Sequence, residues 1–460
     1  VTALWTSAEI AAATGGTASA DFAVRGVAFD SREIAPGDLF VAMKGEATDG
    51  HLFLDQAFAA GAAGALVSEA TAHPHVRVAD GFIALNALGA ASRARTNARV
   101  IGVTGSVGKT GTKEALFAAL DRGAPGFAHR SVKSYNNHSG VPLSLARMPR
   151  DARFGVFEMG MNHPGELAAL TALVRPHVAI VTAIAPAHRE YFPSEEAIAD
   201  AKGEIFAGLE PDGTAIIPHD SPHRDRLIAA ARPHAARIVT FGLGEGADVR
   251  AAYVVPAPGG GSLVTATLPD AQLSFTIRQP GAHWVSNALA VLAAVAAAGG
   301  DLAAAGLAFA DLDGLKGRGA RRSVRLAGGA ALLIDESYNA NPASMAATLK
   351  VLGDEAVTGR RIAILGEMRE LGPDSAGFHA ALAAPIEAAH VDYAILVGAG
   401  MAALADALGA RVPHVLAPDA GSAIGLARDA IAPGDALLVK GSNAVGLAAL
   451  VEALAGREDE

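Results

Sequence analysis

An α/β chain of three units is what this sequence predicts, and three observations predict it. Apolar strand-length runs alternate with helix-forming stretches along most of its 460 residues. One such run, Val100–Val103, feeds a glycine turn and then a helix in VIGVTGSVGKTGTKE, the arrangement that cradles phosphate. A basic, glycine-rich stretch, GLKGRGARR (Gly314–Arg322), divides one strand–helix series from another.

Composition bounds the rest. The length allows about two to four domains, each with its own core. Hydrophobic residues make up 51% of the chain, much of it alanine, so helices are expected to be plentiful. A net charge of −10 argues against a broad nucleic-acid surface and still permits a local basic phosphate site. The absence of cysteine excludes disulfides, thiolate metal sites and a cysteine nucleophile. Val1–Ala20 lacks the basic start and apolar core of a signal peptide. Gly281–Gly300 is uncharged but contains His283, Ser286 and Asn287 among alanines, so it reads as a buried helix rather than a membrane span. A cytoplasmic, monomeric enzyme without membrane insertion or a nucleic-acid partner is expected.

In chain order, residues 1–80 read as a small α/β unit. Val24–Asp30 runs into a polar DSRE turn, Asp38–Met43 and Ala65–Val67 are strands, and Leu52–Ala60 is a helix. Residues 81–314 form the central unit. Its strands Val100–Val103, Phe154–Met159, Val178–Ala183, Thr214–Ile217 and Arg237–Phe241 are continuous apolar runs between helices, the pattern of a parallel sheet covered on both faces. Tyr253–Val255, Leu263–Leu268 and Leu273–Ile277 are separated by turn residues and read as an antiparallel insertion, followed by the helix Trp284–Ala298. Residues 315–460 form a Rossmann-like unit with strands Ala331–Asp335, Arg361–Leu365, Tyr393–Val397, His414–Leu416 and Ala436–Val439.

The chemistry concentrates at strand ends. In the glycine loop, Gly105, Ser106, Val107, Gly108 and Gly111 let backbone approach phosphate; Lys109 would reach the β/γ-phosphates and Thr110 would meet Mg²⁺. Only two residues separate Gly105 from Gly108-Lys109, so the general P-loop spacing is not met, but strand, glycines, Lys-Thr and helix coincide. ATP is the expected ligand. Glu158 ends an apolar strand, where α/β sheets bind ligands, although a strand-end charge can also simply be solvated. His188 follows another strand; by chemistry alone it is a surface or core histidine as readily as a ligand, because Mg²⁺ prefers oxygen. Lys202 alone looks like a solvated helix lysine. Asn136 and Asn137 suit peptide or phosphate recognition, and equally suit a turn.

Taken together, FDSREIAPGDLFVAMKGEATDGHLF, VTGSVGKTGTKE, KSYNNHSGVPLSLARMP, FEMGMNHPGEL, APAHREYFPSEEAIADAKGEIF, GAHWVSNALAV, DESYNANPASM, LGEMRELG and VKGSN, in this order, resemble the Mur ligase family over nearly the whole chain. The short glycine loop is the one that family uses. The resemblance implies an ATP-dependent amide-forming ligase of peptidoglycan precursor synthesis that works through an acyl phosphate. SYNANP favours the branch joining D-alanyl-D-alanine to UDP-MurNAc-tripeptide over the amino-acid-adding branch; a non-catalytic nucleotide switch is the alternative from another class. The resemblance also implies catalytic roles for Lys109, Glu158, His188 and Lys202, with Thr110, Glu158, His188 and a carbamylated Lys202 holding Mg²⁺. It places His283, Asn287, Arg321, Asp335, Tyr338 and Asn339 at the adenosine. Asn287 would read the adenine edge, Asp335 the ribose and Tyr338 the base face. It assigns Ser31, Arg32, Gly45, Asp49, Gly50, His51, Asn136 and Asn137 to the UDP-linked substrate, although Ser31-Arg32 could equally be a helix cap and a surface charge.

Overall fold

Where apolar runs alternate with helices, sheets form, and three of them organise the chain. The computed structural model describes residues 3–45, 48–186, 190–258 and 260–456. Among these, the first unit carries a five-stranded sheet in the order Thr17–Ala18, His75–Arg77, Gly64–Val67, Asp38–Val41, Gly26–Ala28. Helix Gly81–Ala94 buries Ala84, Leu85 and Leu88 in the same core as Trp5, Ile10 and Val27. The first unit's core therefore extends past residue 80, because an amphipathic helix settles on the nearest uncovered sheet face. Leu143 and Ala146, from helix Gly140–Ala146, join that core from the central unit, and Trp5 Nε1 donates to the Ala146 carbonyl at 2.9 Å.

The central sheet has nine strands. Phosphate-loop strand Arg99–Thr104 lies between Phe154–Glu158 and Val178–Val181, and pairing is parallel from Ala128–Arg130 across to Val249–Pro256. The insertion Ser262–Leu268 and Ala271–Ile277 continues it antiparallel. Apolar side chains cover both faces: Leu116, Leu289 and Phe309 on one, Val141, Leu167 and Ile198 on the other. All five parallel strands read from the sequence form, with ends shifted by a residue or two. Helix Ala282–Ala297 is buried among them, and no helix among the described residues is long and apolar enough to cross a membrane.

The third sheet has six strands, in the order Ala320–Leu326, Gly329–Glu336, Ala436–Lys440, Arg361–Gly366, Tyr393–Val397, His414–Ala417. Its first strand corrects the sequence reading. The last three residues of the basic stretch that divides the two series, Ala320, Arg321 and Arg322, are strand, paired antiparallel with Gly329–Glu336. Its arginines face outward and its burial is partial, so an edge strand carrying charge gave no apolar signal.

Candidate active site

The carboxyl ends of parallel strands are where α/β sheets place ligands, and here three such ends converge. Strand Arg99–Thr104 breaks at Gly105, whose φ of 154° and approach to Thr182 leave no room for a side chain; a Cβ would lie 1.9 Å from Thr182 Oγ1. Gly108 has φ 85°, and its Cβ would lie 2.9 Å from Asn287 Oδ1. The helix Lys109–Gly123 therefore starts on a glycine without a side-chain cap, its first N–H groups facing the loop. Lys109 Nζ donates to the Gly105 carbonyl at 2.7 Å. Burial pushes its ammonium below the ordinary lysine range, against the pull of Glu158.

Glu158 is buried at the end of its strand and tightly held. Thr110 Oγ1 donates to Oε2 at 2.9 Å and Asn136 Nδ2 to Oε1 at 2.8 Å, while Lys113 Nζ stands 3.9 Å from Oε2. Hydroxyl and carboxylate oxygens side by side are the donor set that Mg²⁺ prefers, so the residues fit that ion. Asn137 does something else: its Oδ1 accepts from Ser139 N and Gly140 N at 3.3 and 2.9 Å, fixing the start of helix Gly140–Ala146. Lys202 is not a solvated residue. It lies at the end of helix Glu195–Gly203 with 1% exposure, without a hydrogen-bond partner among the described residues, and burial, with Lys109 nearby, holds its amine well below the ordinary range. His188 lies outside the described residues.

A cavity of about 390 Å³ runs from this loop to the third unit. Ser106, Val107, Gly108, Lys109, Gly111 and Glu158 line it on the loop side with Asn287 against Gly108, and His283, Tyr338 and Asn339 line it as well. Burial and the nearby Lys440 hold the His283 imidazole down to about 4, so it is neutral at pH 7. Two residues expected there are turned elsewhere. Arg321 lies in the edge strand and forms a forked pair with Glu355 at 2.8 and 2.5 Å, away from this cavity. Asp335 is buried and accepts from Gly317 N (2.8 Å), Ser337 N (3.1 Å) and Ser337 Oγ (2.6 Å), so its carboxylate fixes the loop Gly314–Gly319.

The sequence reading missed their neighbours. Arg318 projects between Gly317 and Gly319, both with positive φ; it stacks 4.3 Å from the Tyr338 ring and reaches Ser134 Oγ at 3.4 Å. Glu336 and Lys440, opposite one another on adjacent strand ends, face the cavity 3.5 Å apart, and Lys440 donates to the Asn339 carbonyl at 2.9 Å. Burial raises the Glu336 carboxyl and lowers the Lys440 ammonium. Period-two alternation along the strand carries Asp335 and Glu336 to opposite sides, and a charged residue ending an apolar strand was signal enough for Lys440.

The first unit's expected residues do not line this cavity. Ser31 Oγ bonds Gln56 Oε1 at 3.2 Å, and Arg32, 80% exposed, pairs with Asp30 at 2.6 Å, which draws the Asp30 carboxyl down to about 2. Asp49 Oδ1 accepts from His51 N at 2.9 Å and lies 2.6 Å from His51 Nδ1; His51 Nε2 accepts from Ser68 N at 3.0 Å. Gly50 N donates to the Met43 carbonyl at 2.8 Å and Gly45 N to Thr48 at 2.9 Å, closing the loop between them.

Comparison with known proteins decides the family. Residues 23–104 match the model described as Mur ligase family, catalytic domain; residues 103–295 match the Mur ligase middle domain; residues 321–443 match the Mur ligase, glutamate ligase domain. UDP-N-acetylmuramoyl-tripeptide–D-alanyl-D-alanine ligase of Escherichia coli (strain K12) is 36% identical over 392 residues, 85% of this chain and 85% of that protein. The chain belongs to the Mur ligase family. Among solved structures, MurF from Acinetobacter baumannii superposes with a TM-score of 0.83 at 30% identity, covering 98% of this chain and 99% of that one. The MurF ligase from Thermotoga maritima in complex with ADP gives 0.75 at 25% identity over 94% and 97% of the two chains. This Mur ligase is thus a three-domain α/β enzyme of the amide-forming kind.

Proposed function

We propose that the chain joins D-alanyl-D-alanine to UDP-MurNAc-tripeptide with hydrolysis of ATP to ADP and phosphate, in peptidoglycan precursor synthesis. One observation carries the reading: a glycine-loop lysine, a threonine hydroxyl and a buried carboxylate share one end of a cavity that a second unit closes. The tripeptide carboxylate oxygen attacks the γ-phosphorus, the bond to the β-phosphate oxygen breaks, and ADP leaves. The amine nitrogen of D-alanyl-D-alanine then attacks the acyl carbon; the carbon–oxygen bond to phosphate breaks, and the nitrogen loses its proton. Lys109 and the helix N-terminus neutralise phosphate charge and align it. Thr110, Glu158, His188 and Lys202 would hold Mg²⁺, which when bound screens the phosphate oxygens. Lys202 would do so as a carbamate, formed when its neutral amine adds CO₂ and releases a proton; its burial and depressed amine favour that form. His283, Asn287 and Tyr338 face the adenosine, and the first unit, with Ser31 and the loop Gly45–His51, takes the uridine end. A reaction that uses ATP and a UDP-linked substrate fits the cytoplasm.

The test is ADP release with UDP-MurNAc-tripeptide and candidate amines, with mass spectrometry of the product. ADP that forms only with both co-substrates, together with the D-alanyl-D-alanine adduct, supports the reading. Adducts with single amino acids alone, or nucleotide binding without ADP release, overturn it. For Lys202, the Lys202→Ala variant is expected to lose activity and regain part of it with short carboxylic acids, which offer the two oxygens of a carbamate; full activity without them removes the carbamate.

A further inference from the structure

We propose that Glu33, in the first unit, is a positioning residue for the Glu158 carboxylate, acting through the segment Ser131–Asn137. The inference rests on the reading that Glu158 and Thr110 hold Mg²⁺ beside the nucleotide. The segment lies along the end of strand Phe154–Glu158. Ser131 N donates to the Val156 carbonyl at 2.9 Å, Glu158 N to Ser131 Oγ at 3.2 Å, and Gly160 N to the Asn136 carbonyl at 2.7 Å. Its residues divide by side. Ser134 and Asn136 reach the phosphate loop: Ser134 Oγ is 3.5 Å from Thr110 Oγ1, and Asn136 Nδ2 donates to Glu158 at 2.8 Å. Lys133 and Tyr135 reach the first unit, where one oxygen, Glu33 Oε1, accepts from the Lys133 ammonium and from Tyr135 Oη, the latter at 2.7 Å.

The backbone at the crossing point is strained. Lys133 has φ 51°, a left-handed conformation that a lysine keeps only when its surroundings hold it. It is held twice. Its carbonyl accepts from Lys113 Nζ at 2.5 Å, the same ammonium that stands 3.9 Å from Glu158, and its side chain is tied to Glu33. Glu33 is the part of this clamp that comes from another unit, and its side chain is only 22% exposed. Without it, the segment that presents Asn136 to Glu158 has one anchor fewer at its strained residue, and the carboxylate loses the fixed orientation that an ion needs.

Calorimetry on the full chain with a non-hydrolysable ATP analogue, once with magnesium and once with EDTA, tests this. In the unaltered chain magnesium tightens binding. In Glu33→Ala that gain is expected to shrink at least about fivefold, with affinity in EDTA unchanged. Glu33→Gln, whose amide oxygen still accepts both bonds, restores most of the gain. Tyr135→Phe keeps the ring against Phe29, 5.5 Å away between centroids, and loses a smaller part; these two variants decide the matter if Glu33→Ala does not fold. Equal weakening with and without magnesium means a merely structural contact and overturns the proposal, as does an unchanged gain or an unaltered chain indifferent to magnesium. A chain that binds magnesium-nucleotide but forms no amide refutes the proposed function and leaves the Glu33 result standing.

Discussion

At one end of the cavity, beside the glycine loop, Lys109, Thr110, Asn136 and Glu158 all come from the central unit; at the other, His283 of the central unit lines the cavity with Tyr338 and Lys440 of the third, while Arg318 of the third unit reaches back to Ser134 beside Thr110. The first end is fixed by hydrogen bonds within one sheet edge. The second exists only where two units meet, and its shape depends on the loop Gly314–Gly319 that joins them. Preorganised groups act on the chemical step, whereas groups assembled from two units act through closure and affinity. Substitutions at the two ends should therefore separate in kind as well as in size.

Lys109→Ala should show the largest effect. Loss of one charge contact at a developing phosphoryl anion lowers turnover by about 10²–10³, with the melting temperature unchanged because the side chain supports no core. A folded variant that turns over normally breaks the phosphate assignment and, with it, the contrast between the ends.

Asp335→Ala tests the other end through its scaffold. The carboxylate accepts three hydrogen bonds in a buried site, and leaving Gly317 N–H and Ser337 unpaired costs about 1–3 kcal/mol. The denaturant midpoint should fall, and nucleotide affinity with it, because the freed loop carries Arg318. Unchanged stability with lost affinity would instead mean that Asp335 touches the nucleotide itself.

The two ends were not equally legible in the sequence. The phosphate loop and Glu158 are local: a strand run, its glycines and its last residue stand together in the chain. Asp335, Glu336, Arg318 and Arg321 depend on strand parity and on turns at Gly317 and Gly319 that no periodicity encodes, so His283, Asn287, Tyr338 and Asn339 line the cavity as expected while Arg321 and Asp335 do not, and Arg318, Glu336 and Lys440 were missed. Lys202 is a case of another kind. Its helix looks solvated in isolation, and only the folded structure shows the lysine buried at 1% exposure. The strand Ala320–Leu326 was lost because its charges face water on an edge.

Two buried histidines, His283 lining the cavity and His129 in the central sheet away from it, add a pH dependence of known sign. Burial holds His129, which lies 2.8 Å from the Ser144 carbonyl, and His283 down to about 4 from an ordinary 6.5. As pH falls, the unfolded chain takes up these protons first. Their contribution is complete above pH 6.5 and is lost as pH falls toward 4. By pH 5 each should lower stability by about 1–2 kcal/mol. Melts at pH 7 and pH 5 measure the gap, which should narrow in His129→Gln and again in His283→Gln; a gap that neither variant changes means that both rings are protonated without strain.

The smallest expected effect sharpens the comparison most, because two arginines three positions apart are expected to differ. Arg321 pairs with Glu355 on a partly exposed edge, its side chain 33% accessible. Such a pair contributes about 1 kcal/mol or less, and it stands outside the cavity, so Arg321→Ala should leave both nucleotide affinity and turnover close to the unaltered chain. Arg318→Ala removes a guanidinium that lines the cavity, stacks on Tyr338 and reaches across to Ser134 of the central unit, so nucleotide affinity should fall, and loss of a cation over an aromatic face, worth about 0.5–2 kcal/mol, should lower the melt slightly. Calorimetry with the same analogue on both variants reads the difference directly. If Arg321→Ala weakens nucleotide as much as Arg318→Ala does, the edge strand must swing its charge into the cavity when the units close, and the cavity is built from more of the third unit than its present geometry brings together.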